Sequence, residues 1–265
     1  MVASACVLAL DTVCAEESPI QPNQVIPLGE RLEYRISWLG IPVGIGELWV
    51  KEYTQLAGRE VIHIVGVIET NKFLSKIFPM HDEVHSWIDA ETFESVQFEK
   101  NVNEIVIKAH ERMVFDAPRS KGYFESFTMG VTNEFTVTVP VHDVISAVYW
   151  VRRQELVPGE SVHTVLSCDQ KDWALEIKVI RRETVRLHGE HVDAIRLEPI
   201  TIVDGVEKRG KSWFSLTADA SRTPIRIAYK APFGSVVGTL QQAQSLQMNE
   251  GLNVGSGDTI PDSAR

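Results

Sequence analysis

Two histidines four residues apart, His81 and His85, are the most metal-like feature of the sequence, because that spacing on a helix puts both imidazoles on one face. Pro79 before them and the β-rich run VHSWI after them predict an extended chain instead. There, residues four apart stand about 13 Å from each other and cannot share an ion, so no metal is expected. His188 and His191 flank Gly189 in a pattern that reads as an exposed hairpin turn. Cys168 could act as a nucleophile only beside a base, and its neighbours Asp169, Gln170 and Lys171 read as a turn, which makes it a bystander thiol. Gly44 and Gly46 lack the third glycine and the Gly-Lys-Ser/Thr of a phosphate loop, and there is no Gly-x-Ser-x-Gly elbow. Those glycines read as places where another backbone or a ligand comes close to a strand. A glycan-acting enzyme would need two carboxylates facing each other across a cleft, for which Asp82, Glu83, Asp89 and Asp219 are the candidates. No catalytic constellation and no cofactor motif emerges. Arg152 and Arg222 could anchor an anionic headgroup or pair with carboxylates.

The elements that must position these residues are mostly strands. Leu28 to Val50 opens with period-two alternation, Leu32, Tyr34, Ile36 and Trp38 against Arg31, Glu33, Arg35 and Ser37, and a break at Gly40 to Pro42 makes it a hairpin. Val61 to Ile68 is apolar on both faces, as a strand covered on both sides should be. Further strand-like segments follow at meander spacing to Leu240. Two helices interrupt them. Thr70 to Phe78 places Phe73, Leu74, Ile77 and Phe78 on one face before Pro79, and Asp143 to Leu156 has Asp143 as N-cap and ends at Pro158-Gly159. A repeat links the halves: Leu56, Gly58, Val61 and Ile64 recur as Leu187, Gly189, Val192 and Ile195 at a constant offset of 131, Gly29-Glu30 recurs as Gly159-Glu160, and Ser86-Trp87 as Ser212-Trp213. The expected fold is mainly β, a strongly curved antiparallel sheet or incomplete barrel or sandwich built from two similar halves, with two short helices.

Composition narrows the partners. A formal charge of −10 and a pI near 5.3 oppose nucleic-acid binding, and no apolar run after the first residues reaches the roughly twenty needed for a transmembrane helix. Residues 1–15 read as an atypical signal peptide, with an apolar run from Val2 to Leu10 and small residues near Cys14-Ala15 but no basic start. Residues 16–27 form an extended leader with three prolines, 28–248 one β-rich domain, and 249–265 a polar, Gly-rich tail expected to be disordered. The signal-like start makes export to the periplasm the expected localisation.

Aromatic residues offer the best lead to a ligand. Trp38, Trp49, Trp87, Trp173 and Trp213 fall in strands and Trp150 on the helix. Most such tryptophans are core, but a curved sheet with two helices over its concave side could enclose an apolar hollow. Tyr34, Trp38, Trp87, Arg152, Trp213 and Arg222 are the ligand-binding candidates.

The run GERLEYRISWLGIPVGIGEL, the SWID of Ser86 to Asp89, the spacing Asp143-x-x-Ser146-x-x-Tyr149-x-x-Arg152 and the closing KSWFSLTADASRTPIRIAYKAPFGSVVGTL resemble the exported bacterial family DUF3108, over about Leu28 to Leu240. Asp219, Arg222 and Pro224 fit its Asp-x-x-Arg-x-Pro turn, within a looser surrounding sequence. The resemblance implies a β-rich envelope protein of unassigned function and transfers no catalytic residue. Its plan looks like that of the LolA and LolB lipoprotein carriers at the level of fold alone. Together these features point to a periplasmic, non-enzymatic binding or carrier protein for a lipid or other apolar envelope component. The alternatives are an envelope scaffold that binds another protein by a sheet edge and, less favoured, a glycan-acting enzyme.

Overall fold

A computed structural model describes residues 26–203, 206–209, 212–231 and 234–245; the expected signal peptide, most of the leader and the tail lie outside them. The first half is a meander of β1 (Arg31–Trp38), β2 (Ile41–Leu56), β3 (Arg59–Thr70), β4 (His81–Asp89), β5 (Ser95–Asn103), β6 (Lys108–Asp116), β7 (Lys121–Ser126) and β8 (Val131–Thr136). The short β9 (Val141–His142) and helix α1 (Val144–Val151) lead into β10 (Ser161–Cys168), β11 (Lys171–Leu187), β12 (Glu190–Val203), β13 (Val206–Arg209), β14 (Ser212–Thr217), β15 (Pro224–Ala231) and β16 (Gly234–Gln244). Fifteen strands form one ladder, β8 to β1 in reverse order, then β16, β15, β14, β12, β11, β10 and β9, while β13 folds back on β12. All pairs are antiparallel except β9 with β10.

Laid flat, such a sheet would hold its edges more than ~60 Å apart. The edges β8 and β9 are separated by only the four residues 137–140, so the sheet must curl almost into a barrel. Side chains clasp the seam where the ladder stays incomplete. Asn133 Nδ2 donates to Gln170 Oε1 at 3.2 Å, Lys100 Nζ reaches Asp169 at 2.8 Å, and the Thr138 amide donates to Asp172.

The internal repeat is physical. Gly29 N donates to Val50 O and Val50 N to Glu30 O, at 3.0 and 2.8 Å; Gly159 N and Val179 O, then Val179 N and Glu160 O, repeat the pair at 2.8 and 2.9 Å. The β2–β3 ladder slips between Val50 and Glu52, and the β11–β12 ladder at the matching place, between Val179 and Arg181. Both hairpins turn on two left-handed residues, Ala57-Gly58 and His188-Gly189, the twist-matched turn for a two-residue loop. The halves join where β1 pairs with β16.

The interior is filled. Helix α1 lies inside the curl, its Ala147 and Val151 packing with Leu175, Ile177, Leu197 and Leu216, and its Tyr149 with Val50, Ile62 and Ile64. Trp150 touches both groups, so the helix ties the halves together. Val61 to Gly66 of β3 are buried throughout, as the two-faced apolar run requires.

One of the two expected helices is corrected. Thr70 to Phe78 forms a 3₁₀ turn at Leu74–Lys76 inside a loop, because Asn71 Oδ1 takes the amides of Phe73 and Leu74 and Pro79 stops the chain before a second turn can close. The second helix is real but shorter than Asp143 to Leu156. The amides of Arg153 and Gln154 bond three residues back, to Trp150 and Val151, and tighten it to a close.

Gly44 is a close-approach glycine, as expected. A Cβ there would stand 2.3 Å from the carbonyl oxygen of Glu69 on β3. Gly44→Ala is expected to cost about 1–3 kcal/mol of unfolding free energy, read from the urea midpoint, because backbone rather than a flexible side chain must move. An unchanged midpoint would show that β2 and β3 part without penalty.

Candidate functional site

The residues that carry the family resemblance form a buried polar network at each end of α1. Asp143, 1% exposed, accepts from the amides of Ile145 and Ser146, while Ser146 Oγ accepts from the Asp143 amide, a closed capping box. Ser86 Oγ on β4 donates to Asp143 Oδ2 at 2.7 Å, and Ser95 on β5 donates to the same oxygen. At the other end of the helix, Arg152 makes a bidentate pair with Glu30, both bonds 2.7 Å, with each side chain less than a tenth exposed. Tyr149 Oη donates to Glu30 at 3.3 Å, Arg152 donates to Ser221 O at 3.1 Å, and Tyr34 Oη donates to Pro224 O at 2.7 Å. Burial pushes the hydroxyls of Tyr34 and Tyr149 well above the usual tyrosine range, so both stay protonated donors.

The six ligand candidates do not share one surface. Tyr34 and Arg152 belong to the second of these networks, and Arg222, 3% exposed, sits in the adjoining turn. Because Ile62 and Ile64 face the core, the pleat puts His63 on the outer face, and Trp87, its cross-strand neighbour, stacks on it with ring centres 4.3 Å apart. Phe214 packs against the core, so its neighbour Trp213 faces outward, beneath the Arg196 guanidinium. Trp38 stands at the end of β1, 43% exposed. No aromatic-lined hollow gathers them: α1 occupies the space where the lids were expected to leave one, and its Trp150 is part of the packing.

The other chemistry-bearing residues have local roles. His81 and His85 lie in β4, extended as the sequence indicates; His81 meets Glu69 at 3.2 Å, and His85 meets His63 at 2.9 Å and Glu83 at 3.0 Å. Among the described residues no group of three or more His, Cys, Asp or Glu could hold an ion. Asp82 accepts from the Asn103 amide, Asp89 from the amides of Glu91 and Thr92, and Asp219 from Ser221 and Thr217. Cys168 ends β10 beside the turn, half-buried, and burial with Asp169 beside it pushes its thiol up, away from thiolate.

What the sequence did not reveal is an open groove of about 760 Å³ on the outer face at one end of the sheet. Its floor is the cross-strand row Ile45, Glu69 and His81. One wall is the Thr70–Met80 loop, held to β2 by Asn71, whose side chain donates to Pro42 O at 2.8 Å and whose amide donates to Val43 O at 2.9 Å. The facing wall is the turn from Asn103 to Lys108, with Ile105 inward. Lining atoms are mostly apolar, and the charged residues among them are Lys72 and Lys108 with Glu69 and Glu104. The groove draws on three segments, from Ile45 to Lys108, and no local pattern announces it.

A family model described as "Protein of unknown function (DUF3108)" matches residues 33–241. No curated protein matches the chain. Among solved structures, a β-barrel-like protein of domain of unknown function DUF1849 from Brucella abortus superposes with a TM-score of 0.55 at 12% identity, covering 84% of this chain and 99% of that one. A putative exported protein with a YmcC-like fold from Bacteroides fragilis matches at 9% identity over 82% of this chain and 96% of that one, but its TM-score of 0.29 carries no argument. The first likeness bears on fold alone and agrees with an almost closed sheet.

Proposed function

The chain belongs to the DUF3108 family, and from that premise we propose that it is a non-enzymatic, exported envelope protein that binds a lipid-like molecule in its end groove rather than in an interior hollow. The observation that carries this reading is the groove itself, about 760 Å³ and mostly apolar in its lining atoms, beside a barrel-like body whose interior is already packed. The carboxylates that a glycan-acting enzyme would need are spent on turns and strand ends, which argues against that class. Periplasmic placement rests on the expected signal peptide. A second reading, a scaffold for another envelope protein, draws on β8, whose residues Val131–Thr136 are almost all exposed and whose outer backbone edge has no ladder partner.

Titration with dansyl-labelled undecanoic acid tests the first reading. Wild-type protein should bind one probe per chain, and Ile45→Gln with Ile105→Gln should weaken it about tenfold at unchanged stability, since both side chains line the groove and are more than half exposed. Probe binding that ignores both substitutions would place the ligand elsewhere and sink the groove.

A further inference from the structure

The antiparallel meander sends the β1–β2, β3–β4, β5–β6 and β7–β8 turns to the same end of the sheet. They are neighbours: Asn71 bonds Pro42 and Val43, the Asn103 amide bonds Asp82, and the amides of Phe127 and His110 bond across to His110 and Thr128. Each turn carries large apolar side chains that stand exposed among the described residues. Leu39 and Ile41 protrude from the first, Phe73 (77% exposed), Ile77 and Phe78 from the second, Val106 (87% exposed) from the third and Met129 from the fourth. None of these lines the groove. Single exposed apolar residues are ordinary, but a rim of them gathered at one end marks a surface that meets something apolar.

Charge identifies the partner. The segments 39–45, 71–80 and 127–131 contain no Asp or Glu, although the whole chain carries −10, and their only charges are Lys72 and Lys76; the third turn sets Lys108 against Glu104. In the second turn the lysines interleave with the apolar residues, Lys72-Phe73 and Lys76-Ile77-Phe78, which is the composition of a segment lying at a lipid headgroup boundary. The opposite end differs, with polar turns of mixed charge such as Gly58-Arg59-Glu60, Arg119 and His188-Gly189-Glu190. We propose that the rim docks on an anionic bilayer, with Phe73, Ile77, Phe78 and Val106 entering the acyl boundary and the three lysines meeting lipid phosphates. The docking goes beyond the groove reading and does not rest on it, because its apolar residues differ, although Lys72 and Lys108 also line the groove; docked, the groove's mouth would lie against the lipid.

Co-sedimentation of the purified chain with vesicles tests it. Vesicles of phosphatidylglycerol mixed with phosphatidylcholine should bind the chain, vesicles of phosphatidylcholine alone about tenfold less, and binding should weaken between about 0.1 and 0.5 M NaCl. Phe73→Ser with Phe78→Ser should lower the partition about tenfold at unchanged thermal stability, both side chains being exposed. Lys72→Gln with Lys76→Gln should erase the preference for anionic lipid, while Arg119→Ser at the opposite end should change nothing. Equal partition onto neutral and anionic vesicles, binding indifferent to the phenylalanines, or a dimer that the serine variant abolishes without any vesicle binding would each overturn the proposal. Ile45→Gln with Ile105→Gln separates the two ideas: losing the fatty-acid probe while keeping the vesicles supports docking alone, and losing vesicles but keeping the probe overturns docking alone.

Discussion

Replacing Arg152 with alanine is expected to lower the unfolding free energy by about 3–5 kcal/mol, because it leaves the Glu30 carboxylate buried without its countercharge. In a domain of this size that is a fall of roughly 10 °C in Tm. The loss reaches past one ion pair. Arg152 also donates to Ser221 O, and Glu30 sits in the turn whose backbone bonds Val50, so α1, the start of β1 and the turn before β15 loosen together. The cost belongs to the unpaired charge, so Glu30→Leu combined with Arg152→Met should recover most of it, with Tyr149→Phe removing the one hydroxyl then left without its acceptor. Denaturant unfolding of the single and combined variants decides the matter. A single Arg152→Ala that unfolds at the wild-type midpoint would mean that the pair contributes nothing to holding the helix inside.

The second large effect follows pH. His142, the last residue of β9, is fully buried, its Nδ1 3.0 Å from Phe93 O and its ring centre 5.2 Å from that of Trp150, while Nε2 has no hydrogen-bond partner among the described residues. Nδ1 therefore carries the proton and donates to Phe93, and a second proton on Nε2 would be a buried, unpaired charge. Burial depresses the imidazole to about 4. An unfolded histidine titrates near 6.5. Between those values the unfolded chain binds a proton that the folded chain refuses, so stability rises with pH across that window and falls as it is acidified. The full span corresponds to about 3 kcal/mol lost from pH 7 to pH 4. His142→Asn keeps a donor for Phe93 and does not titrate; its stability should be lower at neutral pH but flatter through the window. Parallel pH curves for wild type and variant would show that His142 does not drive the acid sensitivity.

Much of the fold could be read from the chain because its signals are local. The alternation that opens at Leu32 and Tyr34, the two-faced run from Val61, the cap at Asp143 and the repeat all rest on neighbours within a hairpin or a turn, and each has its counterpart in the structure, though the alternation fades to an exposed Trp38 and the buried run ends at Gly66, short of Ile68. The motif of Asp143, Ser146, Tyr149 and Arg152 was legible as a pattern but not as a purpose. Its acceptors and donors, Glu30, Ser86 and Ser95, lie 48 to 122 residues away. The side of the sheet on which Trp87 falls was hidden for a related reason. A strand buried on both faces gives no parity, so only the core partners of Ile62 and Ile64 place His63 and Trp87 outside. The Thr70–Phe78 segment misled because its apolar spacing suits a helix, whereas the length before Pro79 allows one turn.

The pairing of β1 with β16 sets the order in which the molecule can be completed. The earliest described strand finds one of its two partners only when the last arrives, with registers such as Arg31 to Gln244 spanning more than two hundred residues. Until then β1 offers a bare edge of amides and carbonyls, open to a neighbouring chain of the same kind. Assembly is accordingly slow, dominated by contacts of high sequence separation, and a chain delivered unfolded across a membrane would need that edge shielded until its final hairpin has crossed.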